Sequence, residues 1–193
     1  MMRADFIAIA KWIAPASQVL DLGCGDGSFL EFLGQQKPVH AYGVEIDDAR
    51  VLACVQKDIH VIQQNLEGGL ALFGDQSFDT VVLSQTLQTI HQTEKILREV
   101  VRVGKESIIS FPNFGHWSHR LAVAFGHMPV SKSLPYQWYN TPNVRVLTVA
   151  DFEKLASSLG LKVIDQCILH DGREVTLLPN LFGSLALFRI RRA

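Results

Sequence analysis

The chain has 193 residues, 48% of them apolar and 19% charged, with a formal net charge of −1. That length and balance suffice for a self-supporting core, and they exclude a disordered tail or a polycation gripping nucleic acid by bulk charge. No stretch reaches the length of a membrane span, the start has no signal-peptide pattern, and Cys24, Cys54 and Cys167 suit neither a disulfide framework nor zinc spacing.

One cytoplasmic domain over residues 1–193 is therefore expected. Phe6, Ile9, Ala10 and Ile13 recur at helical spacing, so residues 3–14 read as an amphipathic helix that Pro15 ends. Residues 19–22 read as the end of a buried strand. Gly23, Gly25 and Gly27 alternate through the turn that follows, and a helix over 28–33 comes next, ended by Gly34. Alternate glycines let a ligand approach the backbone because no Cβ blocks it. Amides at the helix start favour an anionic group. The spacing is G-x-G-x-G; a dinucleotide fingerprint would need its third glycine where Ser28 stands. Cys24 fills a place in the turn that asks only for a small side chain.

Residues 39–46 form the second predicted strand, ending in Glu45 and Ile46. A carboxylate there can accept hydrogen bonds from both hydroxyls of a ribose. Asp47 or Asp48 caps a helix reaching about Lys57, with Val51, Leu52 and Val55 predicted to face inward. A short strand over 59–63 leads to Asn65 and Leu66. Residues 78–84 are a nearly continuous apolar run, as a central parallel strand buried on both faces requires. Ser84 and Gln85 stand at its carboxyl end. Residues 93–103 place Ile96, Leu97, Val100 and Val101 on one helical face, and Gly104 ends that helix. The fifth strand is expected over 107–111. Such βα alternation predicts a parallel sheet with helices on both sides.

Residues 112–147 break the alternation and read as an insertion after the fifth strand. They carry Asn113, His116, Trp117, His119, Tyr136, Trp138 and Tyr139. A helix fits 115–125 and an irregular loop fits 129–143. The insertion would hang over the carboxyl ends of the strands, where open α/β sheets bind ligands. Its aromatics either pack it onto the body or form an acceptor pocket or partner surface. Asn113, His116, Trp117, Tyr136 and Tyr139 are the candidates for the second role. His116 and His119 lie one helical turn apart, but no third ligand follows at zinc spacing, so no metal is expected. Thr148 and Asp151 have capping-box spacing for a helix that Gly160 ends. Strands over 161–169 and 184–191 follow. The link between them is too short for an ordinary crossover helix, so they should pair antiparallel, with the seventh strand beside the fifth.

The D-x-G-x-G turn after an apolar strand resembles the first motif of class I S-adenosylmethionine-dependent methyltransferases. More widely, the chain resembles the MetW family of bacterial methionine-biosynthesis proteins. The matching words include Arg3-Ala4-Asp5, Val19-Leu20-Asp21-Leu22-Gly23-Cys24-Gly25-Asp26-Gly27, Gly43-Val44-Glu45-Ile46 and Ser84-Gln85-Thr86-Leu87-Gln88. The most specific are His116-Trp117, Met128-Pro129, the run from Leu134 to Asn143, and Leu178-Pro179-Asn180-Leu181. The resemblance implies a Rossmann-like α/β fold: a seven-stranded, mostly parallel sheet with an antiparallel last strand and helices on both faces. It implies S-adenosylmethionine or S-adenosylhomocysteine as ligand. Its contacts would be Asp21, Gly23, Cys24, Gly25, Gly27, Glu45, Ile46, Asn65, Leu66, Ser84 and Gln85. In such folds the first helix covers the cleft, which would bring Arg3 and Phe6 near the ligand. Asn65 stands where many methyltransferases carry an acidic residue for the adenine amino group. Gln88 stands where many carry a His, and an amide cannot serve as a general base.

The resemblance also implies a partner, a MetX-like homoserine O-acyltransferase; the near-zero net charge and the lack of a membrane-length apolar run argue against a nucleic-acid or a membrane partner. Two functions stay open. One is a ligand-binding subunit that supports or regulates the acyltransferase. The other is a free-standing methyltransferase acting on a small molecule by positioning and water exclusion alone.

Overall fold

A computed structural model describes residues 3–193. The first half alternates: α1 (Ala4–Trp12), β1 (Gln18–Leu22), α2 (Ser28–Gln36), β2 (His40–Glu45), α3 (Asp48–Gln56), β3 (His60–Gln63), β4 (Phe78–Ser84), α4 (Thr93–Val103) and β5 (Gly104–Pro112). Then come α5 (Trp117–Ala124), α6 (Val149–Ser158), β6 (Leu161–His170), β7 (Arg173–Glu174), α7 (Pro179–Phe182) and β8 (Leu185–Arg192).

The strands form one sheet in the order β3-β2-β1-β4-β5-β8-β6-β7. The first five in that order run parallel, and β8 lies antiparallel between β5 and β6. The seven-strand expectation falls short by one. The extra strand, β7, folds back on β6 through Asp171 and Gly172, both at positive φ. An Asp-Gly pair between two strands is a strong tight-hairpin signal, because both central residues must be left-handed.

Both faces of the sheet are covered. Val81, Leu83, Ile109 and Phe111 point to one side, under α4 and α6. Phe111, Phe152 and Phe188 meet there, with ring centroids 4.6–5.9 Å apart. Val19, Val82, Ile108 and Leu187 point to the other side, under α1 and α2, where Phe6, Ile9, Phe29 and Leu33 are buried. Period-two alternation with both sets apolar explains the nearly continuous apolar strands.

Three local expectations need correcting. Helix α2 continues through Gly34 to Gln36, since that glycine keeps helical backbone. It stops at Lys37, whose ammonium donates to the carbonyls of Ala10 and Ile13 at the end of α1. On α3, Leu52 and Val55 face solvent and Cys54 is the buried residue. This helix packs on the edge strand β3, so only a narrow stripe of it meets the sheet. Strand β5 is longer than expected at both ends. The capping box of Thr148 and Asp151 is formed. Among the described residues, no helix is long and apolar enough to cross a membrane.

Candidate functional site

A cleft of about 750 Å3 opens at the carboxyl ends of β1, β2 and β4. Its floor is the glycine turn after β1. Gly25 lies at φ +60°, and a Cβ there would meet nothing within 4 Å, so its open side faces the cleft. Gly27, at φ +76°, has a different task. A Cβ on it would fall 2.5 Å from Ile59, so its bareness lets α2 start close against the neighbouring layer. Cys24 tucks its thiol over Gly43, 3.9 Å from the thiol of Cys54. Burial, then the charge of Asp21, pushes the Cys24 thiol far above its ordinary range. It is a packing thiol and a poor nucleophile.

Two buried carboxylates stand beside the turn. Glu45 ends β2. Its Oε2 accepts from the Gly25 N–H at 2.9 Å, and its Oε1 accepts from the N–H groups of Ile46 at 2.7 Å and Asp47 at 3.0 Å. It thereby ties the glycine turn to the start of α3. A carboxylate has about four acceptor positions, so capacity remains for one more donor. Asp21, 2% exposed, is less well served: its Oδ1 has no partner. Burial, reinforced by the charge of Glu45 and opposed by Arg3, raises its pKa to about 7.

The far wall comes from the end of β4. Gln85 sits at φ +51°, its N–H donating to the carbonyl and hydroxyl of Ser110. The Ser84 and Ser110 hydroxyls lie 3.2 Å apart. Ile46 and Leu66 supply apolar wall. Asn65 Oδ1 accepts from the Glu67 N–H at 2.9 Å, which makes Asn65 the cap of a 3-10 turn, Leu66–Gly68. Gln88 is buried; its side-chain amide donates to the Gln85 carbonyl, and its backbone carbonyl accepts from the N–H groups of Val144 and Arg145. It buttons the insertion to the cleft.

Every residue expected at the ligand borders this cleft except Gly27. The insertion candidates divide. Tyr136 borders the cleft, with Lys132, Pro135, Pro142 and Asn143. Asn113 does not: fully buried, it donates to the carbonyls of Gly183 and Asn180 and accepts from the N–H groups of Gly115 and Val149. It brackets the end of β5 to α6 and α7. His116 caps α5 and stacks on His170 with ring centroids 4.8 Å apart. Burial, then the neighbouring His170 and His119, lowers its pKa. Trp117 and Tyr139 are exposed and lie outside the cleft. Among the described residues, no three His, Cys, Asp or Glu side chains are placed to hold a metal. Asp5 escaped the sequence reading. It lies one helical turn before Ile9 on the buried face of α1, and a carboxylate on an apolar face is the signal that marks it.

The family model described as Methionine biosynthesis protein MetW matches residues 3–190. The chain belongs to the MetW family. A curated relative, the Bifunctional methionine biosynthesis protein MetXA/MetW of Rhodopirellula baltica (strain DSM 10527 / NCIMB 13988 / SH1), is 37% identical over 206 residues. The match covers 99% of this chain and 33% of that relative, so the MetW-family chain spans about a third of its length. Solved structures share the fold. An S-adenosylmethionine-dependent methyltransferase from Mesorhizobium loti aligns with TM-score 0.72 at 16% identity, covering 98% of each chain. A TehB-like methyltransferase from Corynebacterium glutamicum ATCC 13032 gives 0.69 at 15%, covering 100% of this chain and 89% of that one. Magnesium protoporphyrin IX methyltransferase from Synechocystis PCC 6803, solved with bound S-adenosylhomocysteine, gives 0.68 at 19%, covering 98% and 82%. The MetW-family chain thus has the class I methyltransferase fold.

Proposed function

We propose that this MetW-family chain binds S-adenosylmethionine or S-adenosylhomocysteine in the cleft and acts as a partner subunit of a MetX-like homoserine O-acyltransferase. One observation carries the ligand: the buried Asp21 oxygen without a partner, beside a glycine turn whose central residue faces open space. An unpartnered buried carboxylate is costly, and a ligand bearing positive charge offsets that cost. The residues present fit such a ligand. Asp21 suits its cationic part, Glu45 has acceptor capacity for one ribose hydroxyl, and Ile46 and Leu66 offer apolar surface to a purine. When bound, S-adenosylmethionine supplies an electrophilic methyl group. The chain's own residues bind, orient and exclude water, and Gln88 holds no titratable proton for base chemistry.

The partner rests on the relative whose name joins MetXA with MetW in one chain. A ligand here would alter the acyltransferase only through unequal affinity for two states of the complex. We read residues 1–193 as one methyltransferase-like unit with an insertion over 112–147, working in the cytoplasm. Co-purification with the acyltransferase, and its rate with and without this chain, test the reading. A stable complex and a rate that responds to S-adenosylmethionine are expected; no complex and no rate change would overturn it.

A second reading, a free-standing methyltransferase, is favoured by Tyr136 and Asn143 bordering the same cleft as the glycine turn. Turnover of methyl-labelled cofactor on small acids or amino acids, by this chain alone, would select it.

A further inference from the structure

Helix α5 is turned inside out. Trp117, Leu121 and Phe125, its cap, recur every four residues, so they stand one above the next on a single face. They and Met128 are 45–77% exposed. The opposite face carries His119, which is buried. Its Nδ1 donates to the Asn113 carbonyl at 3.2 Å, and its Nε2 lies 2.9 Å from the Ser131 hydroxyl. A surface helix of a self-contained domain does the reverse, turning its apolar stripe to the core and its polar side chains to water. Contiguous apolar surface left in water marks a contact site.

The charge around this face has one sign. From Ser107 to Ala150 the chain carries no Asp or Glu, and its charged residues there are Arg120, Lys132 and Arg145. Lys132 is paired with Asp171. Arg120 adjoins Leu121 on α5 and is exposed. It donates from Nε to the Gly115 carbonyl at 2.6 Å, which holds its guanidinium at the edge of the apolar face. That sign selects among occupants. A second copy of this chain would set the same patch against itself, basic rim on basic rim, and like charges brought together cost binding. The complement is a protein surface with an apolar centre and carboxylates around it. The bifunctional relative points to the protein that supplies it: its name joins MetXA with MetW, and the part matched by this chain is 33% of it.

We propose that the outward face of α5, formed by Trp117, Leu121 and Phe125 with Met128 and bordered by Arg120, is the docking surface for the MetX-like homoserine O-acyltransferase. The inference rests on the partner reading above and deepens it. Trp117 is its aromatic anchor, and Arg120 meets a carboxylate of the partner. None of the five residues borders the cleft, so docking and ligand binding can be read separately.

Calorimetry and size-exclusion chromatography of this chain with the acyltransferase test the surface. Leu121→Asp combined with Phe125→Asp should lower affinity for the acyltransferase at least 100-fold, since it puts charge where an apolar centre is buried. Arg120→Glu should weaken it about 10-fold, with a loss that shrinks as salt rises. Leu52→Asp changes an equally exposed apolar residue on α3 and should bind as wild type. Melting temperatures of all the variants should stay within a few degrees of wild type, because the altered side chains lie in water. A wild-type complex that survives the paired aspartates would overturn this inference and leave the partner reading standing. A wild-type chain that forms no complex would overturn the partner reading, and this inference with it. A dimer of the chain alone that the paired aspartates dissolve would assign the face to a second copy and overturn the proposal. So would binding to phosphatidylglycerol vesicles that those aspartates abolish while the acyltransferase complex persists.

Discussion

The glycine turn and the insertion after β5 both border the cleft, yet they differ in how they are built. The turn is backbone. Its left-handed glycines, the Glu45 carboxylate bonded to three amides, and the buried Asp21 are set by strand ends a few residues away. The insertion is side chains on an irregular path, anchored by Asn113 and by the Gln88 carbonyl. Of its five candidate residues only Tyr136 reaches the cleft. The turn leaves one buried polar atom, Asp21 Oδ1, without a partner; the polar side chains of the irregular segment are largely consumed in holding it together.

The largest effect should come from Asp21. Its folded pKa, about 7, lies above the ordinary value of 3.8. Between those values the folded state binds more protons than the unfolded chain, so stability falls as pH rises from about 4 to about 7 and is level above that. Asp21→Asn removes this dependence. It should raise stability at pH 8 by up to about 4 kcal/mol, with no gain near pH 4, as urea unfolding at both pH values would read. The same change should weaken adenosyl-ligand binding. A stability gain paired with a binding loss marks a group kept for its ligand.

Asn113→Ala should cost about 3 kcal/mol of stability, because it leaves several buried backbone groups unpaired. Ligand affinity of the folded fraction should hold. A selective loss of affinity, with the melting temperature intact, would break the contrast between the two regions. Gly25→Val should reduce ligand affinity at least 100-fold, about 2.7 kcal/mol, by filling the open side of the turn. Unchanged affinity would place the ligand elsewhere. Glu45→Ala should weaken binding by about 1–3 kcal/mol and also lower stability, since it frees three amides of the turn. Smallest is Tyr139→Ala, exposed and off the cleft, which should shift stability by less than about 0.5 kcal/mol and leave ligand affinity alone.

Much of the fold was legible because its signals are periodic or local. The apolar run over 78–84 and the helical face over 93–103 became β4 and α4 at those bounds. The antiparallel place of the last strand followed from a link too short to cross over, and β8 stands there. The Asp171-Gly172 hairpin was legible as well and went unread. Other features had no local signature. The outward turn of Leu52 and Val55 depends on how little sheet lies beneath α3, a property of the edge and not of the helix. Asp5 meets Gln85 across 80 residues of chain, and no spacing rule joins them. In the insertion no period exists to say which way His116 or Tyr136 will point.

The position of β8 also sets a schedule. Strands β5 and β6 both pair with it, and they do not pair with each other. Until synthesis reaches Arg192, a nascent chain that has already made the whole glycine turn and its carboxylates must carry two long strands, β5 and β6, each with an open edge. Such edges invite pairing with other chains. The cleft is thus encoded early and made safe late, and a ribosome that stalled between β6 and β8 would release the cleft with nothing to close its sheet.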